Sequence, residues 1–188
     1  MAATTINGSL TLRINGGVVA DIPVTLNVLP PQLLDPLSLS IGGWDYPLPG
    51  VMQVTDDNLD DYVAKLKEYG INTPWISGSM PLGTHAANGT LLVPPDRAEI
   101  DHWVQHWPMS RWHAVAASAV VGQPDAVIAA WAVDWENYLL QQGIPSEDVL
   151  LLITDEPNSA TQLNEILRVG QAIKAAASFK IFNDIHYE

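Results

Sequence analysis

Val149-Leu150-Leu151-Leu152-Ile153-Thr154-Asp155-Glu156-Pro157 is the stretch on which the reading of this chain turns. An unbroken apolar run of this length reads as a strand buried on both faces, as in a parallel sheet. Pro157 stops the strand, so Asp155 and Glu156 fall where the chain leaves the sheet at its carboxyl edge. Folds of alternating strands and helices place their active sites there. The competing reading makes the two acids caps of the next helix, but Asn158 and Ser159 are better cap residues immediately before Ala160–Ala177.

Outward from that strand, βα units recur in both directions. Leu37–Ile41 reads as a strand, Asp56–Tyr69 as a helix stopped by Gly70, and Asn72–Ser77 as a second strand. Pro95–Trp107 reads as a helix opened by Asp96, Trp112–Ala117 as a third strand, and Asp125–Gln142 as a helix ended by Gly143. Val149–Ile153 is then the fourth strand, and Ala160–Ala177 and Phe179–Asn183 continue the series. About five parallel strands with intervening helices suit either a doubly wound sheet or part of a (β/α)8 barrel. No Gly-x-Gly-x-x-Gly follows the first strand and no Walker loop occurs, which favours the barrel. Polar and aromatic residues gather after the strands, in Trp44-Asp45-Tyr46-Pro47, Ser77-Gly78-Ser79-Met80 and Asp155-Glu156-Pro157. A complete barrel commonly takes about 250 residues, so residues 31–188 are expected to form the N-terminal portion of a TIM-type barrel.

Residues 1–30 have a different character. Ser9–Ile14 and Ile22–Leu29 alternate around the turn signal Asn15-Gly16-Gly17, which predicts an antiparallel β-hairpin. Two strands make no stable domain alone, so the hairpin is expected to be a remnant of an N-terminal β-sandwich or an addition to the barrel.

The 188 residues are 47% hydrophobic and 15% charged, enough for a real core. A formal net charge of −13, with the 8 Lys and Arg scattered, argues against nucleic acid as a partner. The absence of cysteine removes disulfides, cysteine zinc sites and thiol nucleophiles. No apolar run approaches the ~20 residues of a membrane span, so no membrane insertion is expected. Met1–Leu12 lacks signal-peptide character; an export signal, if the natural chain has one, lies upstream. Asn7-Gly8-Ser9 and Asn88-Gly89-Thr90 are sequons of the kind that arise by chance.

The acid pair suggests its own chemistry. Most glycosidases use two carboxyl groups ~5–10 Å apart across the sugar, which neighbours pointing to opposite sides of a strand do not provide. Substrate-assisted hydrolysis needs less, because a 2-acetamido group supplies the nucleophile while the protein supplies an acid and a carboxylate that orients the amide. An adjacent Asp-Glu pair can do both.

Trp44-Asp45-Tyr46-Pro47 after a short strand, Lys67-Glu68-Tyr69-Gly70-Ile71-Asn72 leading into the next, and Thr154-Asp155-Glu156-Pro157 together resemble the catalytic domain of glycoside hydrolase family 123. The resemblance covers about Leu29–Glu188, and Asp-Glu-Pro is its most specific element. It implies release of β-linked N-acetylgalactosamine without metal or cofactor, with Glu156 as general acid/base and Asp155 holding the acetamido N–H. It also implies that later strands, beyond this sequence, add sugar contacts and close the pocket. The alternative expectation is a non-catalytic carbohydrate-binding or structural barrel fragment.

Trp44 and Tyr46 are candidates for stacking on a sugar, and Asp45 for accepting a hydroxyl. His113 is expected to face the pocket, and Asn183 and Asp184, ending the last readable strand, are further substrate-binding candidates. Trp131 and Trp135 lie four apart on an apolar helix face and read as core. His102 and His106 have metal-pair spacing, but no Glu follows His102, so they read as surface residues. His85 reads as part of a loop over the barrel mouth.

Overall fold

Asn15 and Gly16 adopt positive φ angles of 50° and 82° in the computed structural model, the paired left-handed geometry of a tight two-residue hairpin turn. That model describes residues 4–28, 39–43, 53–107 and 113–183, with the backbone alone of 76–78 and 113–114. The chain divides into two units, Met1–Ser38 and Leu39–Glu188, whose boundary lies in the segment 29–38 outside the described residues.

In the first unit, β1 (Thr4–Ile14) and β2 (Gly17–Val28) pair antiparallel along their whole length, with a bulge at Leu12/Arg13. Thr5 pairs with Asn27, Asn7 with Thr25 and Thr11 with Asp21, and each pair is joined by a side-chain hydrogen bond. The alternate pairs, Ile6 with Leu26, Leu10 with Ile22 and Leu12 with Ala20, are apolar. Because side chains alternate across the pleat, one face of the ribbon is polar and the other aliphatic.

The second unit alternates helix and strand: α1 (Leu59–Glu68), β3 (Trp75–Ser79), β4 (Thr84–His85), β5 (Leu91–Val93), α2 (Ala98–His106), β6 (His113–Ala116), α3 (Asp125–Gln141), β7 (Val149–Leu152), α4 (Ala160–Ala176) and β8 (Lys180–Phe182). β3, β6, β7 and β8 form a parallel sheet in sequence order, and β4 and β5 make a small separate hairpin. Among the described residues no sheet closes on itself. A further parallel bridge joins Gly42 to Thr73, just before β3. Asn72 fastens it: its Nδ2 donates to Leu39 O and its Oδ1 accepts from Ile41 N–H, both at 2.7 Å.

Both faces of the sheet are apolar. Val115, Leu151 and Ile153 join the main core with Ile128, Trp131 and Trp135 of α3 and Ile166, Val169 and Ile173 of α4. Trp131 and Trp135 are fully buried, and both indole N–H groups donate to Pro81 O at 3.0 Å, which fastens α3 to the chain just past β3. On the other face Trp75 and Leu152 are buried with Ala116, Leu150 and Phe182 against them, and Trp75 meets Phe182 edge-on. Period-2 alternation along β7 thus feeds two separate apolar clusters.

Gly42 is required by close approach, since a Cβ there would lie 1.8 Å from the Thr73 carbonyl oxygen. Gly42→Ala is expected to cost about 1–3 kcal/mol in urea unfolding, the usual range for overpacking; an unchanged midpoint would show that the bridge is dispensable.

Candidate active site at the carboxyl edge of the sheet

The four strands end in register at one edge. Met80 N–H donates to Ala116 O at 3.0 Å and Ala117 N–H to Leu152 O at 2.7 Å, so the ladder runs just past the ends of β3 and β6. Ser79 Oγ donates to Ala116 O at 3.4 Å and lies 3.5 Å from Ser118 Oγ. Ser118, which opens a single 3-10 turn after β6, is not marked in the sequence, because one serine after a strand carries no periodic signal.

β7 ends at Leu152, and 153–156 form a bend rather than the extended strand end that would point Asp155 and Glu156 to opposite sides. Glu156 has a φ of 42°, in the left-handed region that a residue with a Cβ seldom occupies. Ile153 and Pro157 are buried, whereas Asp155 and Glu156 are exposed, so apolar anchors on each side hold a short acidic arch in solvent. α4 has cap residues of its own. Ser159 Oγ accepts from Gln162 N–H at 3.3 Å, and Gln162 Oε1 accepts from Asn158 N–H at 2.9 Å and from Ser159 Oγ at 3.1 Å. Ser159 and Gln162 thus supply a cap of the capping-box kind, in which the Gln162 side chain takes the N–H of Asn158 rather than that of Ser159.

Asn183 comes after β8 on the same edge, with its Oδ1 buried and without a hydrogen-bond partner among the described residues. His113 is at the opposite end: it opens β6 and pairs with Val149, the first residue of β7, about 10 Å of strand from the acidic edge. Trp44, Asp45, Tyr46 and Asp184 lie outside the described residues. His85 belongs to the β4–β5 hairpin rather than an irregular loop, and both its ring nitrogens are buried without a partner among the described residues. His102 and His106 are half-buried, with ring centroids 4.6 Å apart; His106 Nδ1 lies 2.6 Å from Asp60 Oδ1 of α1, whereas His102 Nε2, 3.9 Å from Asp56 Oδ1, is buried without a hydrogen-bond partner among the described residues.

A second cluster steadies the edge from outside. Arg168 on α4 donates to both oxygens of Glu165, to Asp125 at the start of α3 and to Gln123 O at 3.0 Å, while Gly122 N–H donates to Glu165 Oε1 at 2.8 Å. The loop after β6 is thereby clamped to the helix after β7, beside an open groove of about 780 Å³. The Arg168 hydrogen bond, then the Gly122 N–H, lowers the Glu165 carboxyl from 4.5 to about 2 against the opposing effect of burial. The hydrogen bond to Glu165, and after it the one to Asp125, raise the guanidinium of Arg168 against the opposing effect of burial.

Among the described residues no three metal-ligating side chains gather, and no helix is long and apolar enough to cross a membrane. The chain matches no protein-family model and no curated protein.

The cap and the clamp are each open to a stability measurement. In urea unfolding, Ser159→Ala is expected to cost about 1 kcal/mol and Asp155→Asn less than about 0.5 kcal/mol; comparable losses would return the acids to a capping role. Because the folded carboxyl of Glu165 is lowered, its contribution is fully present above pH 4.5 and is lost as pH falls toward 2. The stability gap between the parent and Glu165→Gln should therefore be flat above pH 5 and shrink across that acid window; a gap independent of pH throughout would contradict the clamp.

Proposed function

We propose that this chain is a glycoside hydrolase that cleaves a 2-acetamido sugar by substrate-assisted catalysis, on a partial (β/α)8 barrel resembling glycoside hydrolase family 123. The observation that carries the reading is the exposed Asp155-Glu156 arch, set between buried anchors at the end of a central parallel strand, with Ser159 as the cap of α4. Sequential strand order and apolar side chains on both sheet faces support the barrel, since a barrel turns one face outward to its helices and the other inward.

In this mechanism Glu156 protonates the glycosidic oxygen as the acetamido oxygen attacks C1 and the C1–O bond breaks. Asp155 accepts a hydrogen bond from the acetamido N–H and stabilises the positive charge as the oxazolinium forms. Glu156, now ionised, then takes a proton from the water that opens the ring. Asn183 can satisfy its buried oxygen with a sugar hydroxyl. Trp44, Asp45, Tyr46 and Asp184 complete the proposed sugar contacts, and the place of His113 at the amino end of β6 leaves it out of them.

Release of nitrophenol from an aryl β-N-acetylgalactosaminide should be measurable for the parent chain. Glu156→Gln should lower kcat by about 10²–10⁴ while the protein stays folded by circular dichroism. Turnover that survives Glu156→Gln would exclude this residue as the acid.

A further inference from the structure

The aliphatic face of the β1–β2 ribbon carries a run of exposed large apolar side chains. Ile6, Leu10, Leu12, Ile22, Val24 and Leu26 are each between 48 and 62% exposed. Register places Ile6 beside Leu26 and Leu10 beside Ile22, with Leu12 and Val24 on the same side of the pleat, so the six make one continuous stripe. The hydrogen-bonded Thr, Asn and Asp side chains occupy the other face. A two-stranded ribbon is at best marginally stable in water, and an uninterrupted aliphatic face of this length requires a cover.

We infer that this face packs against the same face of a second copy of the chain. Three observations favour that occupant. The surface is self-complementary: a two-fold axis brings aliphatic side chains onto aliphatic side chains and opposes no two charges, as an isologous contact requires. Its area suffices, because six such side chains at about 100 Å² each give roughly 600 Å² per copy, and two copies reach the ~1,200 Å² lower end of specific interfaces. Its electrostatics also permit the approach. Arg13 and Asp21, the charged side chains of 4–28, cancel formally, so the net charge of −13 resides outside the ribbon. A second acidic copy meets the least repulsion here. The product is a two-layer, four-stranded sandwich with sheets about 10 Å apart.

Sedimentation equilibrium of the full chain tests this. The parent should be dimeric at ~50 µM, as should Ser9→Lys, which places a charge on the polar face. Leu10→Glu and Leu10→Lys should each weaken the dimer at least about tenfold, and their equimolar mixture should restore it by pairing opposite charges across the axis. A monomeric parent, with the stripe covered from within its own chain or by a different protein, would overturn the inference. So would a dimer that tolerates Leu10→Glu, or a mixture that stays monomeric, which would mean that the substitutions act by unfolding the ribbon.

Discussion

β7 is hydrogen-bonded on both sides, to β6 through Val149–Leu152 and to β8 through Leu150–Leu152, and the placement of everything at the carboxyl edge depends on that double pairing. A one-residue shift would leave this strand apolar on both faces, so its register is held by what flanks it: a slip would draw Asp148 or Thr154 into the buried ladder between β6 and β8. The point at which the chain leaves the sheet is therefore fixed. Buried Ile153, the acidic bend, buried Pro157 and α4 come next along the chain and inherit that position.

The elements around the carboxyl edge of the sheet are held by different forces. α3 is held to the chain just past β3 by two indole N–H groups converging on one carbonyl, buried among aliphatic side chains. The loop after β6 is held to α4 by the Arg168–Glu165 clamp, a charge-assisted and partly solvated contact. The first is insensitive to pH and salt, while the second titrates with Glu165. Rigid surroundings matter for a pair whose proposed roles differ, because one carboxyl must hold an amide while its neighbour delivers a proton.

Strong local signals in the sequence locate the long elements well. α3 and α4 end within a residue of their expected limits because periodic apolar faces and the cap at Ser159 mark them; the expected strand over Val149–Ile153 exists over Val149–Leu152. The strand expected over 72–77 begins later, at Trp75, because Asn72 and Thr73 spend their hydrogen bonds on residues 39–42. β4 and β5, two and three residues long, are too short for any period; the Asn88-Gly89 turn between them is their one local clue. Asp155 and Glu156 are readable from their place after an apolar run. The left-handed backbone of Glu156 is not, since glutamate carries no local preference for that conformation. Glu165 and Arg168 are a legible i, i+3 pair on one helix, but the reach of Arg168 to Asp125 and Gln123, more than forty positions away, depends on tertiary placement.

Under the proposed function, the Asp155-Glu156 arch recognises a 2-acetamido sugar as it closes on itself. Calorimetric titration with a bicyclic thiazoline derived from N-acetylgalactosamine, a stable mimic of the oxazolinium, measures this directly. Binding by the parent that weakens at least about tenfold in Asp155→Asn is the predicted result. No binding by the parent, or equal binding by the two proteins, would contradict it.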